Sequence, residues 1–201
     1  MRNKYSLTGD EYTQLEKDAQ ALLIDYGFVD FPIDVFALAK KAYKAEIVKY
    51  SSLSRKQLTK IKEYEPLNDG FTVFHKMSDG TKRYTIYYND KCNVYRQRYT
   101  IGHELKHIFY DEETPKSKDE DGAEYFSKVL LAPKCLVIKM KINTPEEMVE
   151  HFGLSLDASR NHLNGIYNRI RAFGDDLFAY EKDFIDDIEE VKKSIKSKTQ
   201  K

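Results

Sequence analysis

Thr100-Ile101-Gly102-His103-Glu104-Leu105-Lys106-His107-Ile108-Phe109 is the stretch from which the fold of this chain is read. It holds the pattern His-Glu-x-x-His. Two histidines four residues apart lie on one face of a helix and can donate two imidazole nitrogens to one metal ion. Glu104 follows the first of them and reaches a metal-bound water rather than the metal. Zinc lowers the pKa of such a water from about 15.7 to roughly 7. A neighbouring carboxylate can accept its proton and deliver it to a leaving amine. With five histidines and 16 glutamates in 201 residues, chance supplies only about 0.01 such windows per chain, so the motif is specific. The helix it needs is also legible: Tyr99, Ile101, Leu105, Ile108 and Phe109 follow a helical period, with Ile101, Leu105, Ile108 and Phe109 on the core-facing side. His75, His151 and His162 have no ligand spacing and are read as structural or exposed.

A catalytic zinc site needs a third protein ligand and an open position. Downstream, a charged loop at about 111–118 leads to a helix expected from about Asp119 to Leu131, stopped by Pro133. Glu120 and Glu124 share a face of that helix. One can bind the metal while the other hydrogen-bonds the far nitrogen of a ligating histidine, fixing its tautomer. A glutamate ligand on a second helix is the gluzincin arrangement. Asp119 and Asp121 are read as solvated residues favoured by the helix dipole.

Upstream, the period changes to that of strands. Gly70–His75 and Arg83–Tyr88, joined by the turn signal Ser78-Asp79-Gly80, predict a β-hairpin, and Glu46–Tyr50 a short strand. Thr8 to about Tyr26, Phe31-Pro32-Ile33-Asp34 onward, and Ser54 to about Glu63 read as helices. Beyond the metal helices, Thr144-Pro145-Glu146-Glu147 and Ser155 cap two short helices separated by Gly153. An apolar stripe at Leu177, Tyr180, Phe184, Ile188, Val191 and Ile195 predicts a last helix, with a Lys-rich, frayed tail.

The 33 basic and 33 acidic residues cancel, which argues against a dedicated nucleic-acid binder. No stretch approaches the roughly 20 apolar residues that cross a bilayer, and the start carries no apolar signal core. Cys92 and Cys135 lack CxxC spacing and read as reduced thiols of a cytoplasmic protein.

On these residues the chain resembles the ImmA/IrrE-type zinc metallopeptidases. The resemblance rests on Arg98-Tyr99-Thr100-Ile101-Gly102-His103-Glu104-Leu105-Lys106-His107-Ile108, on Glu120-x-x-Ala123-x-x-Phe126-Ser127, and on Leu130-Leu131-Ala132-Pro133. It extends to Pro32-Ile33-Asp34-Val35, Asp69-Gly70-Phe71 and Phe152-Gly153-Leu154-Ser155, so it spans roughly 10–170. Gly102 stands where the family usually has Ala, Lys106 where it has Gly, and Ala132 where it has Met; Lys106 is expected to point to solvent. The resemblance implies an α+β fold: a small zincin-like domain (1–140) with a short antiparallel sheet on helices, a helix-turn-helix-like segment (141–173), and an amphipathic C-terminal helix and tail (174–201). It implies Zn2+ held by His103, His107 and Glu120, with Glu104 as general base and Glu124 as the supporting carboxylate or an alternative ligand. Zinc-bound water activated by Glu104 would attack the peptide carbonyl. The substrate implied is a protein, a helix-turn-helix repressor of a mobile element or prophage, bound along a hairpin strand.

Two other readings compete. The pair of helices around Gly153 could bind DNA through Arg160, His162, Arg169 and Arg171, though the charge balance disfavours direct nucleic-acid binding. The chain could also capture a repressor without cutting it, docking through the stripe Leu177–Ile195; such stripes usually pack on the body. No membrane association is expected, and oligomeric state is left open.

Overall fold

Helices in this chain start and stop where side chains satisfy the free backbone groups at their ends. The computed structural model describes residues 6–64 and 69–199. Helix α1 (Gly9–Asp25) begins just after Thr8 and stops at Gly27, whose φ of 70° lets the N–H groups of Gly27 and Phe28 return to Ile24 and Leu23. Helix α2 (Val35–Tyr43) is capped by the Asp34 carboxylate, which accepts from the Phe36 and Ala37 N–H groups at 3.0 Å. Strand β1 (Glu46–Lys49) leads to helix α3 (Arg55–Tyr64), where Ser54 and Gln57 cap each other. Strands β2 (Gly70–Lys76) and β3 (Lys82–Tyr88) form the expected hairpin around Ser78-Asp79-Gly80.

Helix α4 (Val94–Phe109) starts at Asn93, which accepts from the Arg96 N–H at 2.9 Å. Helix α5 (Ser117–Leu131) starts slightly before Asp119. Helix α6 (Lys134–Lys139) follows Pro133 directly and has no counterpart in the sequence reading, being too short to show a period. Helices α7 (Pro145–Phe152) and α8 (Leu156–Phe173) begin at Thr144 and Ser155, the former in a full capping box with Glu147. Helix α9 (Ala179–Thr199) carries the tail stripe and stays helical to Thr199, through the stretch expected to fray.

The chain divides into two compact units. The first holds 34–127 with residues 6–8. Its sheet runs β1-β3-β2. The hairpin pair is antiparallel, but β1 lies parallel to β3, so the sheet is mixed rather than wholly antiparallel. Parallel neighbours need a long crossover, and the chain from β1 through α3 and β2 is long enough to supply one. Helix α4 packs against β2, β3 and α2. Ile101, Leu105 and Ile108 are buried as expected, whereas Phe109 is 36% exposed.

The second unit holds Gly9–Ile33 with 128–199. Helices α7 and α8 pair there, and α1 and α6 pack against α9. Chain order places α1 with residues 1–140, but its apolar face of Leu15, Ala19, Leu22 and Leu23 is buried in the unit that contains the C-terminal helices. Helical period says that a face is apolar, not which element covers it. Phe184, Ile185 and Ile188 of α9 are buried. His162 and Arg169 are buried too: His162 donates to the Ala132 carbonyl at 2.8 Å, and Arg169 pairs with Glu181 at 2.6 Å. Two of the four cations proposed to meet phosphate are therefore internal. Both cysteines are free, and burial pushes the Cys135 thiol up to about 12.

Candidate metal centre

The first unit contains every residue of the candidate centre. Helix α4 sets His103 and His107 one turn apart, with ring centroids separated by 4.9 Å. Their Nε2 atoms approach to 3.1 Å. From α5, Glu120 Oε2 lies 3.0 Å from His103 Nε2, and Oε1 lies 3.5 Å from His107 Nε2. Donors about 2.0–2.1 Å from a tetrahedral zinc stand roughly 3.3 Å apart. The three separations bracket that value. Two imidazoles and one carboxylate are also the donor types of a catalytic zinc site, so the residues fit the ion.

The three side chains differ in exposure. His107 is buried, His103 is partly buried, and the Glu120 side chain is 47% exposed. One flank of the centre is thus open to solvent. His103 hydrogen-bonding holds the Glu120 carboxyl below its usual range; partial desolvation works against that.

Glu104 sits between the histidines in sequence and is buried. Thr72 on β2 donates its hydroxyl to Glu104 Oε2 at 2.8 Å. Burial pushes the Glu104 carboxyl up, while the nearby imidazoles and the Thr72 bond pull it down. Thr72 carries no motif, and only the packing of β2 against α4 brings it here. That packing is close: a Cβ on Gly70 would meet Thr100 Cγ2 at 2.4 Å and the Tyr87 carbonyl at 2.8 Å.

Glu124 is not one of the three clustered residues. On His107, the supporting place assigned to it is taken by Glu112, whose Oε2 lies 2.8 Å from Nδ1. Glu112 lies in the segment read only as a charged loop. Lys106, expected in solvent, is buried instead, with Nζ 2.6 and 2.7 Å from the Glu112 oxygens.

Residues 63–164, about half of the chain, match the model of peptidase family M78, the IrrE N-terminal-like domain. The chain belongs to this family. No curated protein and no solved structure shows a significant match to it. The M78 match runs from the end of α3 into α8 and includes β2, β3, α4 and α5, and with them His103, Glu104, His107, Glu112 and Glu120. At family level the chain is a metallopeptidase of the IrrE/ImmA type. Among the described residues, no helix is long and apolar enough to cross a membrane.

Proposed function

We propose that this M78 protein is a zinc-dependent endopeptidase of narrow specificity whose substrate is a helix-turn-helix repressor. The observation that carries the metal-dependent chemistry is the cluster of His103, His107 and Glu120, with ligand atoms within 4.8 Å of one another beside the buried carboxyl of Glu104. His103, His107 and Glu120 would hold the ion. The chemistry zinc supplies when bound is Lewis-acid polarisation of a carbonyl and acidification of water.

Glu104 is the proton carrier in this reading. Desolvation makes its carboxylate a better base than one in water, and Thr72 holds one oxygen so that the group keeps a fixed aim. It takes the proton of the attacking water and returns it to the leaving amine. The substrate would lie extended along β2. β3 is flanked on both sides, by β1 and β2, whereas the outer edge of β2 is unpaired among the described residues. Strand addition there would run a peptide past Thr72, the residue that touches Glu104. Of the two hairpin strands considered, only β2 offers such an edge.

The repressor assignment is supported by the family resemblance alone. The test is incubation of the zinc-loaded chain with the helix-turn-helix regulator encoded beside it. Wild type is expected to cleave the regulator. Glu104→Gln is expected to retain zinc and leave the regulator intact. Equal cleavage by the two proteins would overturn the mechanism. An intact regulator with the wild type, bound but uncut, would favour capture without proteolysis.

A further inference from the structure

Behind His107 lies a part-buried ion pair, Lys106 with Glu112, that no step of the proposed reaction uses. Helix α4 ends in a left-handed turn at Asp111, φ 57°. The Asp111 N–H bonds the Ile108 carbonyl at 3.2 Å, and the Glu112 N–H bonds the His107 carbonyl at 2.8 Å. These are the two closures of a Schellman stop. The stop turns Glu112 back over the last helical turn, which brings its Oε2 to 2.8 Å from His107 Nδ1. Lys106, 4% exposed, grips both Glu112 oxygens and also donates to the Asp119 carbonyl at 3.1 Å, one residue before Glu120.

We infer that Lys106 and Glu112 are a positioning pair for the metal ligands: Glu112 fixes the ring and tautomer of His107, and Lys106 fixes both Glu112 and the start of α5. The inference rests on the metal-site reading above and extends it to two residues outside the motif. An ionised carboxylate only accepts hydrogen bonds, so the His107 nitrogen facing Glu112 is the one that carries hydrogen. That leaves the lone pair on Nε2, the atom facing His103 and Glu120. Two protonated Nε2 atoms would not meet at 3.1 Å, and a hydrogen held on Nδ1 removes that conflict from the His107 side. A carboxylate this enclosed needs a cation. Lys106 supplies it from the neighbouring position on the same helix, which accounts for a lysine being buried there. Its bond to the Asp119 carbonyl ties the helix of the third ligand to the helix of the first two. Both residues act through other groups and are not catalytic.

The test is Zn2+ affinity of the full chain, measured by competition with a chromophoric chelator. Wild type is compared with Glu112→Gln and with the double variant Lys106→Met/Glu112→Gln, which buries no unpaired charge. Both variants are expected to keep the wild-type circular dichroism and to bind zinc on the order of 10–100-fold more weakly. In addition, ¹⁵N imidazole spectra of the metal-free wild type are expected to show His107 carrying its hydrogen on Nδ1, with the lone pair on Nε2. The variants should lose that preference. A folded double variant within about twofold of wild-type affinity, or wild-type His107 protonated on Nε2, overturns the inference and leaves the metal site standing. A wild type that binds no zinc overturns both.

Discussion

His162 shows how one buried side chain can set an acid limit. It is 2% exposed, and its Nε2–H donates to the Ala132 carbonyl. Burial, with Lys128 and Lys134 nearby, pulls its pKa from 6.5 down to about 3. Between those values the unfolded chain binds a proton that the folded chain refuses, so stability must fall as the pH falls. The loss begins near 6.5, the unfolded value, and reaches about 2 kcal/mol at about pH 5 relative to about pH 8. Denaturant unfolding at the two pH values checks this. His162→Gln keeps an N–H donor and does not titrate, so its stability should change less over the same interval. Parallel losses in the two proteins would clear His162 of the effect. The sequence places this histidine on a helix but says nothing of the carbonyl it meets. Lys106 is the same case with opposite polarity: a charged residue on a helix pattern reads as solvated, and only its partner Glu112 makes burial tolerable.

Between elements, the geometry of the candidate ligands His103, His107 and Glu120 depends on how closely α4 and α5 approach. A Cβ on Gly102 would lie 2.6 Å from Ser127 Oγ and 3.4 Å from Ser127 Cβ. Ser127 needs that space, because its hydroxyl donates to the Tyr99 carbonyl at 2.8 Å. Alanine at Gly102 would gain about 1 kcal/mol in helix propensity but overpack the contact. Overpacking costs about 1–3 kcal/mol, so Gly102→Ala is expected to be neutral to destabilising and to weaken zinc binding through the adjacent His103. Adding Ser127→Ala removes the 2.6 Å clash and should recover most of the loss. A double-mutant cycle of unfolding free energies and zinc affinities checks this, and strict additivity would show that the two positions do not compete for space. The motif fragments around Gly102 and Ser127 are visible in the sequence as separate signals. Their contact is not, since helical period does not state which faces meet or how closely.

For the whole molecule, a metal held by His103, His107 and Glu120 would join α4 to α5 as a cross-link present only in the folded state. Zinc at 100-fold above its dissociation constant would stabilise the fold by about 2.7 kcal/mol. The thermal midpoint of wild type should therefore rise with zinc and fall with a chelator, while His103→Ala should lose the shift and Glu104→Gln should keep it. A wild-type midpoint indifferent to zinc would remove the metal from the fold and the function together. The net charge of zero, by contrast, conceals unlike parts: an internal Arg169–Glu181 pair, a part-buried Lys106–Glu112 pair, and exposed ions such as Arg160 with Asp157. Sequence alone was enough for the hairpin, most helix starts, and the placing of His103, Glu104 and His107 on one helix. Those follow from local rules of capping, alternation and 3.6-residue period, which act over a few neighbours. The folded chain decided that Glu120 stands 3.0 Å from His103, that Thr72 and Glu112 hold the groups beside the site, that β1 runs parallel to β3, and that α1 belongs with the C-terminal helices. Each of these joins residues distant in the chain or turned back by a helix stop, where the outcome is set by which apolar faces bury each other and which buried charges find partners.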